Sequence, residues 1–222
     1  MADVEITVRG SYTAYAPPER GTVHARVGIE GPAAENVYAH AARAAQELSG
    51  DINGLHDPAA GPVTWWSSGQ LRTWAHRPWN QEGKQLPLVH HAEVTFTVKF
   101  SDFAQLGAFA TRAVAITGVT VNRIEWGLTE ARKAAMTGDV RARAVRDARD
   151  KAQAYADALE LGPVRVVALA DAGMLGEGLH PSADGGMRTF GRSAAAPGAA
   201  DVQFVPDDIA VAVQVDARFG IG

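Results

Sequence analysis

The chain has 222 residues, 46% of them hydrophobic and 21% charged, a near-average globular composition that excludes wholesale disorder. It contains no cysteine, which excludes a disulfide framework, a cysteine–zinc site and a thiol nucleophile. Twenty-one basic residues against 25 acidic ones give a net charge of −4, which argues against non-specific nucleic-acid binding.

Val4, Ile6 and Val8 alternate with Glu5, Thr7 and Arg9, the period of a half-buried strand that runs on towards Tyr12. The start Met1-Ala2-Asp3-Val4-Glu5 lacks the basic and apolar regions of a secretory signal. No apolar run approaches the ~18 residues of a membrane helix, so the expectation is a soluble, cytoplasmic protein with no membrane span. Pro17-Pro18-Glu19-Arg20-Gly21 is turn chemistry, and Val23, Ala25, Val27 and Ile29 alternate again after it. The two strands are expected to pair as a hairpin.

Gly31-Pro32 opens a helix, because a first-turn proline removes an amide that has no partner there. Its apolar stripe is Ala34, Tyr38, Ala41, Ala45, Leu48 and Ile52, and Asp51-Ile52-Asn53-Gly54 is expected to stop it. An extended stretch follows from Val63 to Arg77, then a loop from Pro78 to Gly83. The next strand alternates strictly: Leu88, His90, Ala92, Val94, Phe96, Val98 and Phe100 share one face. Ser101-Asp102 caps a helix that buries Phe103, Leu106, Phe109, Ala113 and Ile116 and ends at Gly118. Residues 119–129 form a strand whose apolar parity changes between Val121 and Ile124, which predicts a bulge or burial on both faces.

The longest helix is expected over 140–161, capped by Asp139 and ended by Gly162-Pro163. Its apolar face is Val140, Ala144, Ala148, Ala152, Tyr155 and Leu159, an alanine ridge that permits close approach to its support. Val164 to Leu169 is apolar on both faces and reads as an interior strand. Seven glycines and three prolines fall within 173–206, which marks a partly mobile excursion. A last alternating strand carries Ile209, Val211, Val213, Val215, Ala217 and Phe219.

The order strand–helix–strand–strand–helix–strand within 20–129 is that of a ferredoxin-like, split βαβ plait. Residues 1–19 and 130–222 then supply the first strand, the long helix and the last two strands of a discontinuous second lobe. The fold class is α+β.

Three segments in this order resemble the SIMPL-domain family. They are Ile6-Thr7-Val8-Arg9-Gly10-Ser11 with Pro17-Pro18 after it, the alanine-periodic helix from Arg143 to Ala152 ending in Ala158-Leu159-Glu160-Leu161-Gly162, and Val205-Pro206-Asp207-Asp208-Ile209 before the last strand. The resemblance spans nearly the whole chain; Asp207 stands where the family usually has glycine. It implies a loose link to oxidative-stress protection and, from one periplasmic relative, assembly into a channel-like ring. It implies no catalytic residue and no cofactor.

The residues themselves leave several constellations to weigh. His90 and His91 are neighbours on a strand, so they face opposite ways and cannot jointly chelate one ion. His24, His40, His56, His76 and His180 show no HxH or HxxxH spacing, and a metal site would have to be assembled by folding. His90, on the apolar parity, reads as a core residue. Trp65, Trp66, Trp74 and Trp79 fall within fifteen residues and read as core filling, as an oligomer interface or as a ligand platform. On the long helix, Arg143 and Asp147, Arg146 and Asp150, and Asp147 and Lys151 are each four apart, a solvated charged face. No G-x-S-x-G elbow or P-loop is present.

The expected function is therefore a non-enzymatic homo-oligomeric scaffold or binding protein, with a stress-related role and a ring-like assembly as what the resemblance implies. A small-molecule or metal-binding module using the tryptophans and a folded histidine pair is the alternative, and an enzyme the third reading. No nucleic-acid partner is expected.

Overall fold

A computed structural model describes residues 4–81, 84–175 and 205–221. Its elements are β1 (Glu5–Ala16), β2 (Arg20–Gly31), α1 (Ala34–Leu55), β3 (Val63–Ser68), β4 (Arg72–His76) and β5 (Val89–Phe100), then α2 (Phe103–Ala115), β6 (Val119–Gly127), α3 (Glu130–Ala158), β7 (Val164–Asp171) and β8 (Ile209–Ile221). The described residues divide into two units, each with its own antiparallel sheet. One lies within 17–128 and the other is assembled from 4–16, 129–175 and 208–221, with 205–207 grouped with the first. Of the excursion expected over 173–206, residues 176–204 lie outside the described residues.

The first unit is a sheet in the order β3-β5-β2-β6, with β4 also paired to β5. All its pairings are antiparallel, an order compatible with a split βαβ plait. β3 and β4 pair with successive stretches of β5, Phe100 to Phe96 and then Glu93 to Val89, so together they form one interrupted edge. The strict alternation of β5 places Ala92, Val94, Phe96, Val98 and Phe100 in the core. Opposite them β2 buries Val23, Ala25 and Val27. Helix α1 adds Leu48 and Ile52, and α2 adds Leu106 and Phe109, so both helices cover this one face. The rings of Phe100 and Phe109 meet at 5.3 Å.

The cap at Asp102 forms as expected, its side chain accepting from the amide of Gln105. The bulge also forms: His24 pairs with Arg123 but Ala25 with Val121, leaving Asn122 as the extra residue. Other expectations are corrected. Helix α1 does not stop at Asp51 but continues to Leu55, since burying Ile52 outweighs the ~1 kcal/mol that Gly54 costs a helix. Val37 and Ala44 take the buried positions assigned to Ala34 and Ala45, and Tyr38 is exposed.

The second unit is the three-stranded sheet β1-β8-β7 with α3 on one face. β1 pairs with β8 from Glu5–Gly220 to Ala16–Ile209, so the expected hairpin of β1 with β2 does not exist. Alternation specifies a strand and its buried face but not its partner, and here the partner lies some two hundred residues away. Helix α3 starts at Glu130, capped by Thr129, rather than after Asp139. Its first turns hold alanines and Met136 as their apolar residues, and Gly138-Asp139 reads locally as a helix start, so the sequence pattern places the boundary too late. The alanine ridge is present, as Met136, Val140, Ala144, Ala148, Ala152 and Ala156, four residues apart. Tyr155 and Leu159 are exposed rather than buried.

Close approach is the purpose of that ridge. A Cβ on Gly10 of β1 would overlap the carbonyl oxygen of Ala144 and lie 2.7 Å from the Cβ of Ala148. Polar bonds fasten the same contact. The Ser11 amide donates to Asp147 at 2.8 Å, Lys151 donates to the carbonyl of Arg9 at 3.1 Å, and Arg143 donates to the Tyr12 hydroxyl at 2.8 Å. Of the expected helical ion pairs, Asp147–Lys151 closes at 2.6 Å. Asp216 on β8, buried, is held by a two-pronged pair with Arg9 (2.7 and 3.1 Å) and accepts from the amide of Gly173 at 2.6 Å. These donors hold its carboxyl below the usual carboxylate range against the opposing effect of burial.

The largest correction concerns β7. Its sequence reads as an interior strand, yet among the described residues it is the edge of the sheet. Val166, Val167 and Leu169 are 65%, 48% and 51% exposed. Both-face apolarity cannot distinguish a strand flanked by neighbours in its own chain from one whose neighbour is not among the described residues.

Candidate functional site

The five-stranded sheet has one face under α1 and α2, and the residues of opposite parity face away from those helices. Trp66 pairs with Val98 and packs against the core. Trp65, of opposite parity, pairs with Lys99, whose ammonium lies 5.8 Å from the indole centre. Trp74 pairs with His91 on this same face. Trp79 follows β4 and is 82% exposed. The four tryptophans thus do not converge. Trp65 and Trp74 stand opposite positions 99 and 91 of β5, eight residues or ~26 Å apart at ~3.3 Å per strand residue.

Folding does bring two histidines together. The antiparallel register sets Trp74 against His91 and His76 against Val89, so all four side chains leave the same face. Nε2 of His91 lies 2.9 Å from Nδ1 of His76. The indole of Trp74 stacks on the His91 ring, the planes 7° apart and the centroids 5.1 Å apart. From the other side β2 places Glu30 opposite His91, with its carboxylate 3.5 Å from His91 Nδ1. The next carboxylate along β5, Glu93, is engaged by Arg26 at 3.1 Å. His90 points to the opposite face, on the core parity, and is half-buried.

Which nitrogen of the pair donates depends on the tautomers; with the His91 proton on Nδ1, towards Glu30, Nε2 accepts from His76 Nδ1. The result is a chain of carboxylate, imidazole and imidazole beside an indole. Sequence spacing missed the pair because HxH and HxxxH patterns find only partners on one element. His76 and His91 lie on different strands, joined by the 77–88 connection. The signal available was pairwise parity: two strands folding back on each other so that positions 74 and 91 oppose.

Among the described residues no helix is long and apolar enough to cross a membrane. Nor do three or more histidine or acidic side chains converge as a ligand set.

A discontinuous α+β chain, with β1 and β8 paired end to end and an alanine-ridged helix across them, is the architecture into which the three resembling segments fall. Residues 6–219 match the SIMPL family, described as a protein of unknown function (DUF541), and the chain belongs to that family. No curated protein matches the chain.

Proposed function

We propose that this protein is a non-enzymatic scaffold or binding protein that works as a homo-oligomer. The observation that carries the reading is β7, a strand with an interior composition at the edge of a sheet among the described residues. An apolar edge is a template for another strand, and soluble proteins ordinarily blunt such edges with charge, proline or a bulge. β7 has Arg165 and Asp171 towards its ends and a register shift at Val167, yet Val166, Val167 and Leu169 leave its centre apolar and exposed. A second copy of the chain is the occupant that suits them.

The other edge of the same sheet, β1, is likewise unpaired on its outer side among the described residues. Pairing β7 of one copy with β1 of the next is a head-to-tail contact, which closes into a ring where the rotation per copy allows. That geometry supports the ring-like assembly, and the stress-related setting implied by the family goes with it.

Light scattering on the purified chain at micromolar concentration tests this. A multiple of the monomer mass is expected, and a monomer overturns the proposal. Changing Val166 and Leu169 together to lysine adds charge to side chains that a lone chain leaves exposed. It should lower the mass while leaving the far-ultraviolet circular dichroism unchanged.

A further inference from the structure

We propose that His76 and His91 form a two-nitrogen site for a divalent transition-metal ion that prefers square or tetragonal geometry, Cu(II) or Ni(II). The inference stands on the five-stranded sheet alone and is independent of the oligomer reading.

The ligand type favours this class of ion. Imidazole nitrogens suit Cu(II) and Ni(II), and for a given nitrogen site affinity among the divalent first-row ions peaks at Cu(II). Nε2 of His91 and Nδ1 of His76 are already neighbours, joined at 2.9 Å by a hydrogen bond that an ion would replace. Their rings are inclined by only 22°, with centroids 4.8 Å apart. Rotation of the exposed His76 side chain breaks the histidine–histidine bond and frees Nε2 of His91, which keeps its stack on Trp74, so that one ion can share the two lone pairs. The backbone need not move, because the β4–β5 register already holds both side chains on one face.

The surroundings fit as well. A metal-bound histidine ordinarily donates its second ring N–H to a carboxylate, which fixes its tautomer. Glu30, its carboxylate 3.5 Å from His91 Nδ1, is within reach of that role, and Trp74 stacked on the ring restrains its rotation. His91 therefore presents a bare Nε2. His76 must release the proton from Nδ1 and take one at Nε2, an exchange through water that leaves the count of protons unchanged. His76 and Trp74 are exposed, so the other coordination positions are open to water or a small ligand.

The test is titration of the full-length chain, free of any histidine tag, with CuCl2 and NiCl2. Calorimetry and tryptophan fluorescence read binding; pulsed electron paramagnetic resonance counts the imidazole nitrogens on Cu(II). One tight equivalent bearing two imidazoles is expected, with quenching that Trp74→Phe largely removes at unchanged stoichiometry. His76→Gln and His91→Gln should each weaken binding at least tenfold. Glu30→Gln, which leaves both ligands in place, should weaken it about 10- to 100-fold. Far-ultraviolet circular dichroism confirms that each variant is folded. Equal Cu(II) affinity in the His76→Gln/His91→Gln double variant, or a single coordinated imidazole in the unaltered chain, would overturn the proposal.

Discussion

Phe96, Phe100, Phe109, Leu48, Ile52 and Leu106 fill the space between the five-stranded sheet and its two helices. In the three-stranded unit the corresponding layer is Ala144, Ala148 and Ala152 against Val8, Val215, Ala217 and Phe219. The first core gains its stability from apolar area removed from water, to which large side chains contribute most. The second offers little area per contact. It gains from a helix backbone drawn against a strand, and from polar groups that can bond only because the two are so close. Two ways of holding a helix on a sheet thus occur in one chain, and they should fail differently.

The largest expected effect is in the first core. Phe109→Ala removes a fully buried ring in contact with Phe100 and should cost about 3–5 kcal/mol. Hydrogen exchange read by mass spectrometry should show protection lost in β2, β5 and α2. If exchange rises equally in β1, β8 and α3, the two cores are not separate sources of stability.

Gly10→Ala probes the second core from the opposite direction, by adding one methyl group. Because that carbon meets the Ala144 carbonyl and Ala148, the helix must lift from the strand. The expected cost is about 3 kcal/mol, the upper part of the range for overpacking. The urea midpoint measures it. A variant as stable as the parent would show that α3 does not depend on close approach.

The two cores also differ in how much of each is legible from sequence. The strict alternation of β5, the displaced parity around Asn122 and the four-residue spacing of Ala144, Ala148 and Ala152 are local patterns, and each led to the observed structure. Partnership is not local. Val4 to Tyr12 reads as a strand whether it pairs with β2 or with β8, and only the fold decides. Nothing in Val164 to Leu169 tells an interior strand from an edge awaiting a neighbour. The candidate site shows the same limit more sharply. His76, His91 and Glu30 are unremarkable in three separate segments, and their relation exists only through the registers of β4 and β2 on β5. The tryptophans, conspicuous by number, are spread over both faces of a sheet because neighbours in a strand point in opposite directions.

The smallest effect concerns charge, and it belongs to the three-stranded unit. Asp216 is held below its ordinary pKa first by its bond to Arg9, and Asp147 first by its bond to Lys151, with backbone amides of Gly173 and Ser11 assisting. A lowered native pKa contributes stability that is fully present above the unfolded value of about 3.9. Between that value and the lower native one, the unfolded chain binds a proton that the folded chain does not, so stability falls as the pH falls. Asp216→Asn keeps the side chain's shape but removes the charge that Arg9 and the Gly173 amide address. Arg9 is half exposed and keeps its water, so the cost at neutral pH is limited to about 1–2 kcal/mol rather than that of a stranded buried ion. Urea melts of parent and variant at pH 7, 4 and 3 provide the measurement. The difference between them should be greatest at pH 7 and shrink steadily below pH 4, as the parent's carboxylate takes up the proton that the asparagine mimics. A difference that stays constant with pH would mean that Asp216 serves by shape alone. The polar fastening of α3 and its sheet would then be incidental to the alanine contact.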